Sequence, residues 1–250
     1  MNYIKDFIYV NKYSLSKTVE SLKKNYLLVF TGIVYSIISM IASYIISIII
    51  SGPFAILSGI LLYLVRSALI SSYLYFLFNV IYYNRFNIKD IKQGFTYYLF
   101  NIYGVLFILY LGNILLDLLN NILGLNAYIL IMIIQVLILV LFNSIPETIY
   151  QKGYSAPDTF AYSFNFIKEN WLNWLITIGI FTCIIYLVSG QILTELFNIN
   201  ISFRFNFSLI YILRYILGQT IFTVMMLYRG HMYKLLSTST IRKRMFMNRL

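Results

Sequence analysis

Six stretches of this chain are apolar for long enough to cross a bilayer, and no water-soluble fold can hide them all. A spanning helix needs about 20 mostly apolar residues. The segments at about 26–50, 54–83, 97–119, 127–149, 171–194 and 208–228 meet that length. Of the 250 residues, 60% are hydrophobic and only 11% charged, where a soluble domain carries roughly 25% charge. Lipid must therefore be part of the solvent. The breaks are short and polar: Ser51-Gly52-Pro53 makes a tight turn, and Asn120, Asn121, Gly124 and Asn126 separate the third and fourth segments. The expected fold is all-α, a single polytopic membrane domain over 1–250. The polar head is long and the first apolar run exceeds a signal-peptide h-region, so no cleavable signal is expected.

The net charge of +11 follows the topology. Sixteen of the nineteen Lys and Arg fall in the N-terminal segment, the second and fourth loops and the C-terminal end. On the other side stands Arg204 alone, while Arg66 and Arg214 lie inside spans. The positive-inside rule then puts both termini in the cytoplasm of a bacterial cytoplasmic membrane. Arg242-Lys243-Arg244 reads as an anchor to anionic headgroups, each charge worth about 1 kcal/mol near the surface. Nucleic acid is not an expected partner; membrane lipids are.

Three amphipathic segments precede the odd-numbered spans. Leu15, Val19, Leu22 and Tyr26 form one apolar stripe, and Phe160, Phe164, Ile167 and Trp171 repeat its spacing. Ile91, Phe95 and Tyr98 form the middle stripe, which Gly94 weakens. Ser155 and Asp158 frame a helix start with an early proline, and Asn87 opens the middle segment in a similar way. Gly32, Gly104 and Gly179 each lie early in an odd span. Arg66 and Arg214 correspond in the even spans, with Gln135 in the equivalent place of the fourth. The expected architecture is three parallel repeats, about 1–86, 87–153 and 154–250, each an interfacial helix followed by a transmembrane hairpin.

The tripled pattern, and above all PETIYQKGYSAPDTFAYSFNFIKENWLNW at 146–174, resembles a broad bacterial superfamily of six-span membrane proteins. That superfamily includes the membrane domain found beside glycerophosphodiester phosphodiesterases. The shared features are the proline ending the fourth span, here Pro146, an amphipathic helix with small residues at Ala161 and Ser163, and the Lys-x-Asn-Trp at 168–171. The resemblance implies the six-span fold. It brings no catalytic residue, since the soluble phosphodiesterase domain is absent.

The chemistry-bearing residues are few. Cys183 and His231 are single, which leaves no intramolecular disulfide and no Cys-based zinc site. Cys183 reads as an inert small residue and His231 as an interfacial side chain. No nucleophile, acid/base or metal set assembles, and no Walker motif occurs, so neither enzymatic activity nor a cofactor is expected. The candidate intramembrane polar site comprises Arg66, Arg214, Gln135, Asp117 and Glu195. Counting back from the cytoplasmic borders puts both arginines in the outer third of their spans, where they can snorkel. The economical pairing is Arg66 with Asp117 and Arg214 with Glu195. These pairs either fix helix register or form an outward cationic vestibule for an anionic ligand or headgroup. Asn79, Gln135, Gln219 and Thr220 read as interhelical glue, and Glu147 as a partner for a nearby lysine. The functional expectation is a non-enzymatic accessory or permease-like component in transport, export or self-protection, with an ATPase or other membrane subunit as partner. An autonomous transporter or channel for a small or amphiphilic molecule and a lipid-binding envelope scaffold are the alternatives.

The orientation is testable in intact cells. On a Cys183→Ser background, an impermeant thiol reagent should label a cysteine at Leu125 and leave one at Lys152 untouched; the reverse pattern would overturn it.

Overall fold

In the computed structural model, which describes residues 3–50, 55–124, 127–203 and 208–247, the described chain is mostly helical with no strand, and six helices are long and apolar enough to span a membrane. In chain order the helices are α1 (Tyr3–Lys24), α2 (Thr31–Ile49), α3 (Ala55–Tyr83), α4 (Ile91–Tyr97), α5 (Leu99–Leu123), α6 (Ala127–Leu141), α7 (Ile145–Lys152), α8 (Ala156–Ser189), α9 (Leu209–Thr238) and α10 (Ile241–Met247). The loop around Leu125, used above to fix orientation, lies outside the described residues.

The core is not spread evenly along the helices. The first half of α3 shows Leu57, Ile60, Leu61, Leu62 and Tyr63 outward, whereas Leu69, Ile70, Tyr73, Leu74, Phe76, Leu77 and Val80 of its second half are buried. Its 29 residues make a rod of about 43 Å, longer than the ~30 Å hydrocarbon layer. The surplus is enclosed by protein at the end of the bundle where α1 and α10 lie. The opposite end consists of the more exposed ends of α2–α3, α5–α6 and α9.

At the end that carries α1 and α10, polar groups face inward. The break after α6 explains how. Pro146 has no N–H to offer the Phe142 carbonyl, so the helix stops and restarts with the proline in the first turn of α7. From Ile145 to Tyr150 every residue of α7 is buried. Glu147, expected to meet a lysine, instead receives both Arg229 nitrogens at 2.8 Å. Arg229 also donates to the Asn143 carbonyl at 2.7 Å and lies over the Trp174 ring at 5.5 Å. Thr148 bonds the Tyr233 hydroxyl at 2.9 Å, Ser144 bonds Ser163 at 2.8 Å, and Gln151 donates to the Gly230 carbonyl at 2.9 Å. The short helix is thereby tied to α8 and α9 at once.

The N-terminal helix has the same inverted logic. It buries Asp6, Val10, Ser14, Thr18 and Ser21 and shows Ile4, Ile8, Leu15 and Val19 outward. A soluble helix does the reverse. The expected apolar stripe on α1 thus lies on its outer side, next to exposed Lys12, Ser16 and Glu20. At Asp6 the polar face is matched closely: Arg244 gives it two hydrogen bonds at 2.8 and 3.0 Å, and Asn173 adds one at 3.1 Å. Two readings change here. Arg244 is 1% exposed, so of the Arg242–Arg244 run only its neighbours are free to meet headgroups. His231 is buried against Ser21, at 2.9 Å, because α1 covers this part of α9.

Each amphipathic segment gives way to its span at a residue outside helical geometry: Asn25 (φ −125°, ψ 39°), Tyr98 (φ −108°, ψ 7°) and Asn170 (φ −122°, ψ 15°). Asn25 and Asn170 each turn their side-chain amide back to the carbonyl four residues earlier, at 2.9 and 3.1 Å. The three glycines expected to correspond do not share surroundings. A Cβ on Gly32 would collide with Gln219, one on Gly104 would touch Ala156, and one on Gly179 would meet open space. Gly94 is no defect in its helix. A Cβ there would lie 3.1 Å from the Ser72 backbone, and its carbonyl accepts from Ser71 at 2.6 Å. Its bareness lets α4 lie directly on α3.

Arg229→Leu leaves a carboxylate buried without a counter-charge and should destabilise the purified protein by about 3–5 kcal/mol. Glu147→Leu added to it should restore much of the thermal midpoint. A double variant no more stable than the single one would remove the ion pair from its place in the fold.

Candidate functional site

The candidate site begins where α8 stops. Gly190 closes that helix in the left-handed conformation (φ 70°), its N–H returning to the Tyr186 carbonyl at 2.8 Å. From there to Phe203 the described chain is neither helix nor strand, yet Leu196, Phe197 and Ile201 are buried. The backbone N–H of Ile201 donates to Gln219 Oε1 at 3.0 Å, and Asn200 donates to Ser36 on α2. Gln219 lies ten residues into α9, about 15 Å along it. The segment therefore folds back into the bundle to that depth along α9, beside α2. Irregular backbone at that depth survives only where protein covers it or where it lines a wet cavity. Here both hold. Gly218 makes room, since a Cβ there would press on Ile201 and Ser189 at 3.0 Å.

Two cavities flank this segment. One, of about 590 Å³, lies between α2, α3 and the re-entrant chain, and the serines at 36, 39 and 43 give its α2 wall a polar stripe. The second, of about 720 Å³, lies between α3, α5 and α6 and is lined by Leu106, Leu109, Met132, Gln135, Val136 and Leu139 among others. Arg66, Thr194, Glu195 and Phe197 line both. Arg66 donates to Glu195, and this ion pair stands on the wall between the two spaces. Their side chains remain 45% and 52% exposed. That separates them from Glu147 and Arg229, at 0% and 7%, and leaves both charges available to a ligand.

The expected pairings are therefore corrected. Glu195 pairs with Arg66, not with Arg214. Asp117 and Arg214 are exposed on α5 and α9, and neither has an ion-pair partner among the described residues. The reason is depth. Arg66 lies eleven residues past the start of α3, about 16 Å along it; Glu195 reaches it because the segment after α8 turns inward. Of the five site residues, Arg66, Glu195 and Gln135 share a cavity, and Asp117 and Arg214 stay outside it. Among the groups expected to be interhelical glue, Gln219 acts as a strut. Thr220 bonds its own helix, donating to the Ile216 carbonyl at 2.8 Å.

The re-entrant segment and the serine stripe were missed as site elements. Their signals were in the sequence: Leu196-Phe-Asn-Ile-Asn-Ile201 alternates rather than following helical spacing, and serines recur along one face of α2. Among the described residues no group of three or more His, Cys, Asp or Glu side chains comes together. Arg66 and Glu195 supply one cation and one anion for electrostatic binding. Comparison of the chain with protein-family models, with curated proteins and with solved structures finds no match in any of the three.

A half-exposed pair contributes little stability, so Arg66→Met and Glu195→Met should couple by only about 0.2–1 kcal/mol in a double-mutant cycle read from unfolding midpoints. Arg66→Met and Asp117→Leu should be additive. Coupling to Asp117 instead of Glu195 would return the pairing to the sequence expectation.

Proposed function

We propose that this chain is a non-enzymatic component of the bacterial cytoplasmic membrane, with both termini cytoplasmic, that holds a small or amphiphilic molecule in an outward-facing cleft. Its role is permease-like or accessory, in transport, export or self-protection, and an ATPase or other membrane subunit supplies any energy. The observation that carries this reading is the half-exposed Arg66–Glu195 pair on the wall of two cavities at membrane depth. A pair kept only to fix helix register would be covered, as Glu147 and Arg229 are. Cavities of about 590 and 720 Å³ fall in the range of small-molecule sites. The excess of basic residues around the termini supports the orientation. The kinks at Asn25, Tyr98 and Asn170 support reading the chain as three parallel repeats, with the cleft between their outer ends.

Water access from outside tests the reading. Thiols react as thiolates and therefore in water. On a Cys183→Ser background, Ser39→Cys and Ser43→Cys should react with a charged, impermeant reagent added to intact cells. Ile37→Cys and Ile41→Cys, on exposed positions of the same helix outside the cavity lining, should stay unmodified. Equal protection of all four would mean that no outward aqueous cleft exists.

A further inference from the structure

A third hollow bears on what the cleft holds. Gly59, Ile60, Tyr63, Tyr103, Phe107 and Tyr110 form a groove of about 330 Å³ between α3 and α5. Tyr63 and Tyr110, whose rings meet edge to face with centroids 6.1 Å apart, line this groove and also the 720 Å³ cavity. Arg66 and Glu195 line that cavity and the polar one beyond it. Shared walls thus set three spaces side by side in one series, an aromatic groove on the exposed side of the bundle, an apolar chamber and a polar one. A Cβ on Gly59 would meet nothing within 4 Å, so glycine leaves the groove open there.

We propose that this series binds a zwitterionic amphiphile, with a phosphate and a protonated amine on its head and an acyl chain as its tail. The inference rests on the cleft reading above and adds the class of ligand. The phosphate meets Arg66, which offers a planar fork of donors suited to it. The amine meets Glu195. A plain anion would gain Arg66 but would also sit beside the Glu195 carboxylate, and such like-charge contacts discriminate against wrong ligands. A head carrying both charges replaces the protein's own ion pair and leaves neither charge unmatched. The tail fills the apolar chamber lined by Leu106, Met132 and Leu139 and lies over the Tyr63–Tyr110 pair toward the aromatic groove. Chamber and groove alone would suit any lipid; the ion pair selects the head.

Native mass spectrometry of the purified full-length chain tests this, with phosphatidylethanolamine and phosphatidylglycerol of matched chains supplied in equal amounts. Phosphatidylethanolamine should be retained about tenfold over phosphatidylglycerol, the scale of one charge-assisted hydrogen bond. Glu195→Gln should abolish that preference, Arg66→Gln should weaken both lipids, and Gly59→Leu should weaken both while leaving the preference intact. Equal retention of the two lipids by the unaltered protein would overturn the zwitterionic assignment. Glycerophosphoethanolamine and inorganic phosphate, assayed for slowing the labelling of Ser39→Cys, separate head from tail. If inorganic phosphate protects as well as the full lipid, the ligand is a small soluble anion, and if glycerophosphoethanolamine does, it is a small soluble zwitterion; either result overturns the amphiphile while the cleft reading stands. If Ser39→Cys is unreactive from outside, the cleft reading itself fails, and this inference with it.

Discussion

A polar group inside a bilayer has no water to fall back on, so it must find its partner within the protein. The short helix α7 is where this chain meets that condition. Glu147 is fully buried and holds Arg229 with both oxygens, and the carbonyl freed by the helix break before Pro146 takes a third guanidinium bond. Replacing either partner strands a charge, whereas the intact set locks α7, α8 and α9 in one register. The aromatic packing of Trp174, Phe166 and Tyr233 around this cluster follows from the same placement. The buried second half of α3 needs the enclosure that these helices provide.

The outer helices obey the complementary rule. α1 turns serine, threonine and aspartate inward and isoleucine and leucine outward. Its exposed side mixes these with Lys5, Lys12 and Glu20, which suits a boundary between lipid and water, while its inner face needs polar partners. Asp6 with Arg244 and Ser21 with His231 are those partners, and through them the two ends of the chain close on each other. Asn25 and Asn170 then redirect the chain into its spans with the same side-chain bond.

The rigid inward-facing network at one end permits openness at the other. With α8 ending at Ser189, the chain is free to turn back among α2, α3 and α9 rather than continue outward. Gln219 satisfies a backbone N–H that would otherwise be stranded at depth. What remains beside the re-entrant segment is cavity space bordered by the exposed Arg66–Glu195 pair. The two ion pairs of Arg229 and Arg66 thus mark the contrast between a packed end that holds the fold and an open end that offers charges.

The sequence by itself determined the membrane class, the six apolar helices and the local helix starts at Asn87 and Ser155, where side chains accept the expected backbone bonds. These are local consequences of apolar length, charge placement and capping chemistry. It also carried Arg66, Glu195 and Gln135 as polar groups worth following. The partners were another matter: Arg66 takes Glu195 rather than Asp117, Glu147 takes Arg229 rather than a lysine, and Arg244 leaves the surface for Asp6. Span counting assigns each charge a depth along its own helix, but it is blind to a chain that re-enters, a helix that outruns the bilayer, and which face of an amphipathic segment turns inward. Only the tertiary structure decided those, because a charge in an apolar medium binds the opposite charge that packing brings within reach, at whatever distance along the chain.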